Sequence, residues 1–286
     1  MDSSAKSEDE PCAADGSWDR LDLLELRACA KVSEQIEAFA SAFRDAYEAG
    51  VIIPVLRVPE FRGVDVRAAA LFHKRALNDL RGVWILLRMG YTSQAASVAA
   101  SLYESALAVS CLLQSDENVK ALMTDPHLEV PWSITEMAKM VVCAEGKDPK
   151  SSDHEQQWQA LYAHYVWLCQ IKHSSSQSVL HDASGTMLEK GYVVMALPNV
   201  TEADISVKAM VAVISLHRIC DCTERFARSL GHVGELPTRF RFSERFQRAR
   251  DSAWKAFEPH LKSMNAIGIQ QSRFMMKQQQ KKKIHE

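Results

Sequence analysis

Along most of the chain, apolar residues recur at three- and four-residue intervals, and each run ends at a glycine, a proline or a polar cluster. The clearest case is the stretch 66–113. Val66, Ala69, Ala70, His73, Leu77, Leu80, Trp84 and Leu87 share one face of a helix that stops at Gly90. Ala95, Ala96, Ala99, Leu102, Ala106, Val109 and Leu113 share one face of the next. The pattern predicts two antiparallel helices joined across residues 88–93, with Ser93 as the N-cap of the second. Beside the second apolar face runs a strip of small residues, Ser97, Ala100, Ser101, Ser105 and Ala108, with Glu104 among them. Small side chains let a neighbouring helix come close, and Glu104 is expected to be caught in that contact.

The same reading extends to both ends. One helix is predicted from Trp18 to Ala49, stopped by Gly50, a residue that tolerates a left-handed conformation. Pro54 and Pro59 make residues 51–63 an extended connector. Short helices follow at 116–124 and 133–145. The helix at 153–173 carries apolar residues on most of its sides, which places it centrally in a bundle. Tyr192 to Met195 is a short strand-like run. Thr201 and Asp204 resemble a capping box opening a helix over 205–230, and a basic amphipathic helix covers 243–257 before Pro259. About seven helices and no reliable sheet predict an all-α fold: one helical bundle over 18–263, a disordered acidic arm at 1–17 and a basic low-complexity tail at 264–286.

Composition adds limits. The 286 residues are 47% hydrophobic and 24% charged, enough for a sizeable core. A net charge of -2 gives no overall pull towards nucleic acid or acidic membranes. Seven cysteines lie mostly inside helical patterns, without a CxxC, and the N-terminus carries no charged-then-apolar leader. These features point to a reduced, cytoplasmic chain. No apolar run approaches the roughly 20 residues that span a bilayer, so no membrane association is expected.

Phosphate-cradling, dinucleotide, zincin and nucleophile-elbow motifs are all absent from the sequence. The histidines are too widely spaced for a local metal site, and no cofactor is expected. What remains is a short list. Glu104 would have its pKa raised by burial unless a cation or several donors stabilise it; Arg75, Arg81 and Arg88 on the preceding helix are the candidate cations, which gives a structural ion pair locking the hairpin. Alternatively the carboxylate serves as a general base or substrate anchor. His173 follows Cys169 by one turn and Tyr165 by two, at a helix C-terminus that favours an imidazolium; it is read either as a capping histidine or as a general acid/base. Glu104, His173, Arg88 and Tyr165 therefore form the candidate catalytic set. Cys169 reads as a buried, inert thiol.

Several of these residues also carry a resemblance. Leu86-Leu87-Arg88-Met89-Gly90-Tyr91, Gln94-Ala95-Ala96, Ser101-Leu102-Tyr103-Glu104 and Tyr165 to Ser174 resemble, in order and spacing, the helical hairpin and the histidine segment of the bacterial DUF5677 family, over roughly 65–230. The resemblance implies an all-α fold and supplies candidate residues; that family's function is itself unknown. One position departs: Ala100 stands where the family pattern has arginine, which would remove a partner from Glu104. The Arg67 to His73 spacing matches that of HEPN-like RNases by number, but Arg67 is followed by Ala68 and the match lies early in the bundle, so it is read as coincidence.

Three functions follow as expectations. The first is a regulatory or protein-interaction module, acting through protein contacts and as a homo-oligomer. The second is an RNA-directed nuclease of phage defence or stress response, using Glu104 and His173. The third is nucleic-acid binding through the basic C-terminal region, with Arg245, Arg248, Arg250, Lys281, Lys282 and Lys283 as its contacts.

Overall fold

A computed structural model describes residues 17–55, 64–125, 127, 129–172, 198–200, 202–229 and 242–260. Among them there are helices and no strand. They are α1 (Ser17–Ile36), a 3-10 turn (Glu37–Phe39), α2 (Ala40–Val55), α3 (Val64–Arg88), α4 (Thr92–Leu112), α5 (Asp116–Thr124), α6 (Ile134–Ala144), α7 (Ser152–Lys172), α8 (Glu202–Ser229), α9 (Phe242–Phe257) and a closing 3-10 turn (Glu258–His260). The all-α fold predicted from periodicity is what the chain adopts. The strand-like run 192–195, His173, and both expected terminal extensions save Ser17 lie outside the described residues.

The α3–α4 hairpin is the centre of the bundle. Val66, Ala69, His73, Leu77, Leu80, Trp84 and Leu87 are buried on α3, and most of α4 is sealed, Ala95, Ala99, Leu102, Ala106 and Val109 included. Gly90 ends α3 with φ +84°, where the backbone N–H of Tyr91 donates to the Leu86 carbonyl (2.9 Å) and that of Gly90 to Leu87 (3.1 Å). This six-to-one and five-to-two pairing closes a helix on a left-handed residue. Ser93, by contrast, does not cap α4. The helix starts one residue earlier, Tyr91 holds the cap position without a side-chain bond, and the Thr92 hydroxyl donates to Asp204 Oδ2 instead (2.6 Å). By length and composition α4 could cross a bilayer, contrary to the expectation from run length. In this fold, however, 78% of that apolar window is buried inside the bundle.

Other elements depart from the sequence reading for identifiable reasons. The single helix expected over 18–49 is broken at Glu37–Phe39, where a tighter turn swings the buried face from Val32 and Ile36 on to Phe39, Phe43 and Ala46. Gly50 sits inside α2 rather than ending it. A Cβ there would stand 2.4 Å from Leu77 Cδ2, so the missing side chain lets α3 approach. The helix then runs to Val55 and takes in Pro54, which forgoes the hydrogen bond its missing N–H would have made four residues back.

The helix predicted as central, α7, is peripheral. It packs on α4 and α6, and among its side chains only His154, Trp167 and Leu168 are buried. Its apolar residues face two ways because one set meets the bundle while others serve neighbours locally, as when Lys139 of α6 lies 4.8 Å from the Trp158 ring centroid. The α6 helix starts as predicted, with a reciprocal Ser133–Glu136 capping box, and the chain after it turns on Gly146 at φ +79°.

Candidate functional site

The chemistry-bearing residues gather in a strip across α4, α7 and α8. Glu104 leaves the small-residue side of α4 and is half-buried rather than sealed. Its Oε1 accepts a hydrogen bond from the Tyr165 hydroxyl of α7 at 2.6 Å. Burial, the bond to Glu104 and the neighbouring Cys169 thiol all drive the Tyr165 pKa far above its ordinary value, so the phenol stays neutral and donates its hydrogen bond to Glu104. Cys169 is itself half-buried against this pair, not the sealed thiol expected.

None of the three arginines expected to neutralise Glu104 pairs with it. Arg75 reaches Ser101 Oγ (3.3 Å), which in turn donates to Asp79 (2.9 Å). Arg88 donates to Ser33 Oγ (3.0 Å) and lies 5.9 Å from the Trp84 ring centroid. Arg81 lines a separate cleft. The hairpin is therefore not locked by an ion pair at Glu104 among the described residues. Ala100 is fully buried, and a guanidinium there would need buried partners to offset its desolvation. Of the candidate set the structure brings Glu104 and Tyr165 together, places Arg88 elsewhere, and ends α7 at Lys172, one residue before His173.

The strip continues through Tyr103, whose ring lies 6.2 Å from that of Tyr165 and whose hydroxyl donates to the Leu161 carbonyl (2.8 Å). Arg218 of α8 lies over the Tyr103 ring, 5.5 Å from its centroid, and pairs with Asp221. Asp221 also takes Arg250 of α9 (2.5 Å), and His217 Nδ1 lies 3.4 Å from its other oxygen. Burial alone would raise the Asp221 pKa, but Arg218, His217 and Arg250 together hold it below the usual carboxylate range. His164 of α7 is within electrostatic reach of Arg218 and His217. This carboxylate-held histidine was missed because it joins residues from α7, α8 and α9; its one local signal is the four-residue spacing of His217 and Asp221 on a helix.

The basic helix also looks inward. Ala249, Ala253, Ala256 and Phe257 are buried, and Arg250 bonds Asp221 and Glu224 (3.0 Å), so its charge is neutralised within the bundle. Arg248 is exposed; Arg245 lies on α9, and Lys281, Lys282 and Lys283 are outside the described residues. No group of ligands able to hold a metal occurs among the described residues.

A second polar centre is structural. Lys208 is fully buried and pairs with Asp204, and its Nζ also donates to the Asn199 carbonyl (3.0 Å). The Asn199 backbone N–H donates to the Gly90 carbonyl (2.8 Å), so the hairpin turn is stapled to the entrance of α8.

A cleft that the sequence did not announce opens between α2 and α3. It has a volume of about 340 Å³ and is lined by Ala40, Phe43, Arg44, Tyr47, Glu48, Leu80, Arg81 and Trp84. No family model, curated protein or solved structure matches the chain, so the site rests on its own geometry.

Proposed function

We propose that the chain is a helical interaction module that associates through α1, in a regulatory or assembly role. One observation carries this reading: Leu23 (59% exposed), Leu24 (36%) and Leu26 (71%) face solvent together on the first half of α1. Single exposed leucines are ordinary, but three within four residues make a patch that favours a partner. Leu23 and Leu26 lie one turn apart on the same side, and covering each fully is worth about 2 kcal/mol. A second copy of α1 would supply a matching surface. Light scattering on the full chain across a concentration series should give a dimer, and Leu23→Glu with Leu26→Glu should give a monomer with unchanged helical circular dichroism. A wild-type chain that stays monomeric throughout defeats self-association.

An RNA-directed nuclease is the second reading. The water-reachable Glu104, bonded to Tyr165 and not to a cation, favours it, and α7 leads directly to His173. Its test is cleavage of single-stranded RNA by wild type and by Glu104→Gln. No cleavage by wild type, or equal cleavage by both, removes it.

A further inference from the structure

The end of α6 and the start of α7 bring a cysteine and a histidine together. Cys143 lies in the last turn of α6 and His154 in the first turn of α7, and Cys143 Sγ is 3.3 Å from His154 Nε2. The cysteine is exposed while the imidazole behind it is only 4% exposed, so a solute reaches the sulfur with the ring held at its back. Both side chains are positioned by helices. One turn away on each, Lys139 Nζ of α6 lies 4.8 Å from the Trp158 ring centroid of α7, and the His154 backbone N–H donates to Ser151 Oγ (3.1 Å). The other described cysteines differ. Cys111, Cys220 and Cys222 are buried, which pushes each thiol up to about 12. Cys29 and Cys169 are half-buried, beside the Ser33 hydroxyl and the neutral Tyr165 phenol, neither of which accepts a proton at neutral pH. Exposure and an imidazole partner meet at Cys143, the setting of a reactive thiol.

We infer that Cys143 and His154 form a thiol–disulfide exchange site for small disulfides, with Cys143 as the attacking sulfur and His154 as its proton acceptor. The surroundings select this chemistry. Acyl transfer builds charge on an oxygen and needs donors aimed at it. The backbone N–H groups that follow the cysteine are already spent, Glu145 on the Val142 carbonyl (3.1 Å) and Gly146 on that of Cys143 (2.9 Å). Attack on a disulfide builds no oxyanion, because the charge stays on sulfur. His154, with its own proton on Nδ1, takes the thiol proton on Nε2 as the Cys143 sulfur attacks. A bond forms between Sγ and one sulfur of the disulfide, the original S–S bond breaks, and the departing thiolate recovers the proton from His154. The cysteine sulfur is oxidised and the departing sulfur reduced, so the disulfide itself is the oxidant.

The probe is oxidised glutathione, added at neutral pH to the full chain after reduction and removal of the reductant. Mixed disulfide at Cys143 is followed by digestion and mass spectrometry. The folded wild type should modify Cys143 about tenfold faster than the same chain unfolded in urea, although folding by itself only shields a thiol. His154→Gln keeps a polar side chain at the buried position but cannot take the proton. It should slow Cys143 about tenfold and leave the rate at Cys29 unchanged. The proposal is overturned if Cys143 forms no mixed disulfide, if it reacts no faster folded than unfolded, or if His154→Gln leaves its rate unchanged. The comparison of folded with unfolded wild type needs no variant, so it decides the question even where His154→Gln fails to fold.

Discussion

Acid should weaken this bundle through one histidine. His73 is 1% exposed on α3, stacked on Phe226 with centroids 4.9 Å apart. Its Nε2 lies 3.0 Å from Thr223 Oγ1, and the Thr223 proton is already given to the Ile219 carbonyl (2.7 Å). His73 therefore donates from Nε2 and is held as the neutral tautomer. A second proton would charge a ring sealed against Phe226, and burial lowers the pKa from 6.5 to about 4. Between those values the unfolded chain binds the proton and the folded chain does not. The stabilisation is therefore complete above pH 6.5 and is lost as pH falls towards 4. With 1.36 kcal/mol per pKa unit, the loss is about 2 kcal/mol at pH 5 and about 3 kcal/mol in the limit. The assay is urea unfolding at pH 7.5 and pH 5 for wild type and His73→Phe. The phenyl ring keeps the stack, and Thr223 keeps its bond to Ile219. Other titrating groups are common to both proteins and cancel, so wild type should lose about 2 kcal/mol more than the variant on acidification. An equal loss in the two proteins would refute the buried neutral imidazole.

Two further outcomes follow from the hairpin staple. Gly90→Ala places a Cβ 2.8 Å from the Asn199 carbonyl oxygen and 2.9 Å from Pro198 Cβ, at φ +84°, and should destabilise by at least about 2 kcal/mol in urea unfolding. A change under about 0.5 kcal/mol would mean that the turn is not held against residues 198–199. Lys208→Met leaves the Asp204 carboxylate buried without its cation and should cost about 3–5 kcal/mol, most of it recovered by adding Asp204→Asn. A near-neutral Lys208→Met would show that the ion pair is not desolvated.

The parts of this fold legible in the sequence are those whose causes are local. The α3–α4 faces follow from a 3.6-residue period, Gly90 from the turn it makes possible, and Ser133 with Glu136 from a bond spanning three residues. Where the cause lies far along the chain, the same signals misled. Gly50 resembles a helix stop, yet it serves Leu77, 27 positions later. His73 gains its partner 150 residues away, and Asp221 collects cations from two helices. The cleft between α2 and α3 had no local mark, because its lining joins residues 40–48 of one helix to residues 80–84 of the next.

Glu104 shows the same division inside one residue. A strip of small side chains does bring helices close to α4, and Ala100, Ser105 and Ala108 are sealed as that reading requires. Burial of a backbone does not bury every side chain it carries, however. A glutamate has three rotatable bonds beyond Cα, so its carboxylate can reach past the contact to the edge of the groove, much as longer charged chains do. There it meets Tyr165 while staying half-exposed, and a neutral phenol suffices where a sealed carboxylate would have demanded a cation. That pairing leaves the carboxylate chemically available, the property on which the nuclease reading depends.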